Sequence, residues 1–191
     1  MKKLLPLLLI LIVLLSCGRG GKASDTAPSR VVPDSFAIGL NLFNKGRAAS
    51  HSSANMDSVL FYMQLAENFF KREGDKAQVN RFIAFIYSSR GMLDEAVPYF
   101  LKASRMADEW QYSSICQEVA KAYAAAGRFR EGVLVLDLIR KNMNDRKVVP
   151  YYHLAKGNLW AGVNEYDSAV TYYRLRFRNI RSEIVAGNSL S

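Results

Sequence analysis

The chain has 191 residues, half of them apolar, enough to bury one domain-sized core and no second one. Alanine, leucine, arginine and tyrosine abound, proline is sparse beyond residue 33, and no alternating pattern persists, so a strand-based fold is excluded in favour of an all-α one. The formal net charge of +9 suits anionic lipid heads, acidic polymers or an acidic partner.

Residues 1–16 stand apart from the fold. Lys2 and Lys3 precede Leu4 to Leu15, an apolar run of 12 residues, too short to span a bilayer as a helix. The run ends Leu14-Leu15-Ser16-Cys17, which resembles the lipobox of bacterial lipoproteins. That resemblance implies a signal peptide cut before Cys17, with Cys17 carrying lipid, palmitate included. An uncleaved anchor or an ordinary secretory signal is the alternative. More than one acyl chain on Cys17 would anchor the mature protein firmly, each buried methylene contributing about 0.8 kcal/mol. Gly18 stands where an aspartate would favour inner-membrane retention by resemblance to Gram-negative lipoproteins, so the expectation is the outer membrane, facing the periplasm. Without residues 1–16, 24 basic residues stand against 17 acidic ones, a net +7. Nucleic acid is not expected as a partner outside the cytoplasm.

Residues 17–33 are rich in Gly, Ser, Lys, Arg and Pro with no apolar period, the composition of a flexible tether. Asp34 or Ser35 is placed to cap a helix carrying Phe36, Leu40 and Phe43. Arg47 to Asn55 reads as a polar, serine-rich insertion before a helix with Val59, Met63 and Ala66.

Phe82, Ile83, Ile86 and Tyr87 then fall at helical spacing with Ala84 among them, Gly91 breaks the helix, and Leu93-Asp94-Glu95 opens the next. Ala96, Phe100 and Ala103 line one stripe of that second helix. Ala84, Tyr87, Gly91, Ala96 and Phe100 return as Ala120, Tyr123, Gly127, Gly132 and Leu136 after 36 residues. They return again as Gly157, Trp160, Asn164, Ala169 and Tyr173 after 37 more. A period in the thirties with small residues at fixed sites signals stacked helix pairs, because one hairpin cannot bury both its faces. Glu109 to Ser113 and Asn142 to Val149 are expected as turns, with Ser114 and Gln117 as a capping box. The last helix is expected from Asp167, ending at Gly187. Its stripe of Tyr173, Phe177, Ile180 and Ile184 either folds back, meets a partner, or belongs to a shortened array.

These units resemble the tetratricopeptide repeat (TPR) family, whose signature places a small residue, a tyrosine-like residue, glycine, alanine and an aromatic at those five sites. The match is good over roughly 77 to 180, with Gly39, Leu42 and Gly46 fitting a degenerate first unit. The resemblance implies an all-α, TPR-like α-solenoid of antiparallel helix pairs over 34–185, with about three clear repeats, a degenerate first one, and a tail at 186–191.

Chemistry is sparse. Cys116 fills a packing position, His51 and His153 are far apart without carboxylate or thiol neighbours at ligand spacing, and no nucleophile elbow or phosphate loop occurs, so neither an enzyme nor a cofactor nor a metal is expected. The TPR resemblance instead implies a groove lined by the first helix of each pair. Carried over, its positions are Gln78, Arg81, Phe85, Ser88 and Ser89, then Ser114, Gln117, Lys121, Ala124 and Ala125, then Tyr151, Leu154, Asn158, Ala161 and Gly162. Phe85, Tyr151 and Leu154 would grip a segment, Arg81 and Lys121 would meet its carboxylates, and Gln117 and Asn158 lie between. Phe85 and Lys121 stand where a two-carboxylate clamp would need amides, which argues against that ligand. The expected function is a membrane-anchored, non-enzymatic adaptor or scaffold of the cell envelope that binds an unknown protein or peptide; the alternative is a stand-alone or shortened sensory input module of a signalling protein.

Overall fold

Eight α-helices make up the described part of the chain, and no strand occurs among the described residues. The structure, a computed structural model, describes residues 34–51, 56–142 and 149–188; the expected signal peptide, Cys17 and the tether lie outside them. The helices are α1 (Ser35–His51), α2 (Met56–Phe69), α3 (Glu73–Ser89), α4 (Leu93–Met106), α5 (Glu109–Ala125), α6 (Phe129–Lys141), α7 (Val149–Gly162) and α8 (Tyr166–Asn188). Consecutive helices pack as pairs, α1 on α2, α3 on α4, α5 on α6 and α7 on α8. Successive pairs lean on each other, α3 on α5, α5 on α7 and α4 on α6, an order consistent with an α-solenoid.

The three turns inside the last three pairs share one construction. Gly91 (φ 77°), Gly127 (φ 69°) and Asn164 (φ 61°) are left-handed, and these are the very residues that recur at intervals of 36 and 37. The next N–H in each turn reaches back five residues: Met92 to the Tyr87 carbonyl at 3.0 Å, Arg128 to Tyr123 at 2.9 Å, and Glu165 to Trp160 at 3.1 Å. This closure satisfies helix-end carbonyls and needs a residue tolerant of positive φ, which glycine meets without strain and asparagine better than other residues.

Small residues set how closely the paired helices approach. Ala84, Ala96 and Ala169 are buried, and a Cβ built on Gly132 would come within 2.7 Å of Tyr123. At Gly157 it would come within 2.5 Å of the Tyr173 ring. Phe100 and Leu136, at the aromatic site of the pattern, are completely buried, each removal from water stabilising the fold by about 1.5–3 kcal/mol. One apolar cluster joins α3 through α7 and another joins α1 through α3, with Tyr87 and Tyr99, whose rings stack at 5.6 Å, packed against both.

Five local expectations are corrected. The segment 109–113 is helical: Asp108 caps α5, accepting from the Gln111 N–H at 2.8 Å while Gln111 Oε1 accepts from the Asp108 N–H at 3.2 Å, so the capping box lies upstream of Ser114 and Gln117. The Ser114 hydroxyl instead donates to the Trp110 carbonyl within the helix. Arg47 to His51, read as insertion, continues α1, and Gly46 is a buried mid-helix contact whose Cβ would strike Met63 rather than a turn. Finally, α8 passes through Gly187 to Asn188. Asp34 does act at the start of α1, its Oδ1 accepting from the Phe36 N–H at 3.3 Å.

Replacing Gly127 with Ala forces a Cβ into left-handed backbone and should cost about 1 kcal/mol, whereas Asn164→Gly should be neutral or slightly stabilising. Urea unfolding of the two variants checks the opposite signs.

Candidate functional site: a surface shared by three helices

Every second helix of the last three pairs (α3, α5, α7) turns one face to a common surface, and two adjoining clefts open along it. The first, about 280 Å³, is lined by Phe85, Ser88 and Ser89 of α3 and by Glu118, Lys121, Ala122 and Ala125 of α5. The second, about 240 Å³, is lined by Gln117, Ala120, Lys121 and Ala124 of α5 with Leu154 and Asn158 of α7. Lys121 borders both. The short alanine side chains in the lining leave space between the neighbouring helices.

The sequence-derived groove residues therefore divide. Phe85, Gln117, Lys121, Leu154 and Asn158 come together along the clefts, while Arg81 and Tyr151 line neither. Phe85 is exposed, its ring tilted against Phe82 with centroids 6.3 Å apart. Lys121 is exposed and makes no ion pair among the described residues. Gln117 donates to the Ser113 hydroxyl at 3.3 Å, and Asn158 Oδ1 accepts from the Tyr173 hydroxyl at 2.9 Å, which fixes the amide. Tyr151 reaches Glu109 at 3.4 Å. Gly162, another groove position of the resemblance, is a packing site: Phe129 lies against it where a Cβ would stand.

Arg81 is turned inward rather than toward a ligand. Its Nη1 donates to Glu118 Oε1 at 2.6 Å, its Nη2 to Gln78 Oε1 at 3.0 Å, and its guanidinium lies 5.6 Å from the centroid of the Trp110 ring. Arg81 and Glu118 are both largely buried, so the pair is a strap between α3 and α5. Burial raises the Glu118 pKa, and the Arg81 charge and hydrogen bond offset only part of that. Glu118 was not anticipated from sequence; its only signal is the separation of 37 residues from Arg81, one repeat length.

A second polar cluster, also unanticipated, joins α6, α7 and α8. Lys156 is buried, donates to Asp137 at 2.9 Å and to the Tyr152 hydroxyl at 3.2 Å, and sits 4.6 Å from the centroid of the Tyr172 ring. Burial opposes its charge, but the contacts with Tyr172, Asp137 and Tyr152 outweigh it and hold the ammonium protonated. His153, between Tyr152 and Tyr172, has its pKa lowered by burial and by the charges of Lys156 and Arg140. Burial pushes the Cys116 thiol up to about 12, which leaves it a packing group rather than a nucleophile.

Among the described residues no three His, Cys, Asp or Glu side chains are grouped to hold a metal, and no helix is long and apolar enough to cross a membrane. Neither a scan against protein-family models nor a search of curated proteins finds a match for this chain. Fold and geometry define its class: an all-helical array of helix pairs with a cleft-bearing face.

Removing the counter-ion by Arg81→Met leaves the Glu118 carboxylate desolvated and should cost about 1–3 kcal/mol at pH 7. Its raised pKa must then rise further. The deficit should shrink as the pH falls through that value and the carboxyl becomes neutral, which urea unfolding at pH 7 and pH 5 would detect.

Proposed function

We propose that this protein is a non-enzymatic TPR-type lipoprotein of the bacterial cell envelope, anchored through lipid on Cys17, that holds a segment of a partner protein along the face formed by α3, α5 and α7. The observation that carries the reading is the pair of adjoining clefts with Lys121 between them, Phe85 at one end and Leu154 at the other. An apolar anchor at each end and an ammonium in the middle suit an extended or helical peptide with apolar side chains flanking a carboxylate. Glu118 lines the first cleft as well, and its charge is offset by Arg81, with which it pairs, and by Lys121.

The TPR reading is supported by the left-handed residues at 91, 127 and 164, which fall at the glycine site of the resemblance. The anchor is supported by the sequence alone: Lys2, Lys3, the short apolar run and the Leu14-Leu15-Ser16-Cys17 junction. Gly18 favours the outer membrane, with the helical array on the periplasmic side.

Two measurements check this. Metabolic labelling with radioactive palmitate should mark the wild type and not a Cys17→Ser variant; equal labelling of both would remove the anchor. Crosslinking in cells should trap a partner that Phe85→Ala combined with Lys121→Glu releases. A partner retained at wild-type yield by that double variant would rule out the clefts.

A further inference from the structure

The exposed face of α8 is in register with faces that are covered elsewhere in the same molecule. Counting by the repeat intervals, Tyr166, Val170 and Phe177 correspond to Phe129, Val133 and Arg140 of α6 and to Leu93, Val97 and Ser104 of α4. Leu93 is 2% exposed and Val133 6%, and Val97, Phe129 and Arg140 are half-buried, whereas Tyr166 is 63% exposed, Val170 42% and Phe177 65%. With the half-buried Ile180 and the exposed Ile184 they form an apolar stripe along α8, bordered on the α7 side by Tyr173, whose ring packs on Gly157.

The covering helix in the preceding pair shows what fits. Phe129, the equivalent of Tyr166, lies against Gly162 of α7, and Leu159 packs 3.0 Å from the Cβ position of Gly132, the equivalent of Ala169. Ala155, Leu159 and Gly162 thus form a small, large, small series at intervals of four and three.

Charge selects among occupants. Arg174, Arg178 and Arg181 border the stripe, and the α8 sequence carries four arginines against two carboxylates, Asp167 and Glu183. A second copy is disfavoured: its open α1 face, with Phe36 and Leu40 exposed, carries Lys45 and Arg47 and no acidic residue, so cations would meet cations.

We propose that this α8 face docks an amphipathic helix of a partner protein, one with a small, leucine-like, small series along its apolar side and carboxylates on its flank, which adds to the array as α7 adds to α6. The proposal is independent of the clefts between α3, α5 and α7, since no residue is shared.

The probe is a fluorescent synthetic helix that repeats the Ala155, Leu159 and Gly162 spacing with glutamates at flanking positions, titrated against the full chain. Saturable binding should weaken about tenfold in Phe177→Asp, and about tenfold when lysines replace the glutamates of the probe, while Phe85→Ala leaves it unchanged. Val170→Asp, also at an exposed site, serves as a second variant so that one misfolded protein cannot decide the result. Absence of saturable binding would overturn the proposal, as would binding indifferent to both variants. So would a dimer seen by sedimentation that Phe177→Asp dissolves, or flotation with phosphatidylglycerol vesicles that the same change abolishes and the probe does not compete.

Discussion

The structure depends on how closely paired helices can approach. At Gly157 the Tyr173 ring occupies the space a Cβ would need, and at Gly132 the Tyr123 side chain does the same. Glycine or alanine at these sites lets the backbones close, and an aromatic or leucine from the facing helix fills the remaining volume at native density. Because the last three pairs turn on the same left-handed residue and carry small residues at the same sites, each offers the next a related surface. Array geometry follows from that repetition more than from any single contact.

Polar groups then tie adjacent units to each other, Glu67 to Lys102 and Asn80, and Asp94 to Arg128, among them. The Arg81–Glu118 strap joins α3 to α5, Gln111 Nε2 donates to the Gly74 carbonyl at 2.8 Å, and Lys156 with Asp137 and Tyr152 joins α6 to α7. Such buried ion pairs add little net stability beyond what apolar packing would give, but leaving one partner alone is costly, so they penalise a slipped register. The cleft face carries short alanine side chains, an exposed ring, a half-buried leucine and the exposed Lys121 ammonium, whose charge acts on Glu118.

Much of the fold was legible in the sequence because its determinants are local and recurrent. A left-handed turn demands Gly or Asn at one position, and close approach demands Gly or Ala at another, so 91, 127 and 164 and the small-residue sites announce themselves. Gly46 misled because glycine serves both demands and spacing alone does not separate them; in α1 it answers the second. The start of α5 was misplaced because Asp108 and Gln111 lie before the point where the repeat period predicts a helix. Of the candidate site, Phe85, Lys121 and Leu154 are groove positions carried over from the TPR resemblance, and the structure sets them along the two clefts. Arg81 was assigned outward because its partner Glu118 sits on another helix, and pairing across helices leaves no periodic trace; Lys156 and Asp137 were missed for the same reason.

Native-state hydrogen exchange on the wild type and on Gly157→Leu tests the central claim, that stability is passed between neighbouring helix pairs rather than held in one closed core. Leucine at 157 cannot coexist with the Tyr173 ring, so protection should fall across α7 and α8 while α1 to α4 keep theirs. Equal loss of protection through all helices at once would contradict the account.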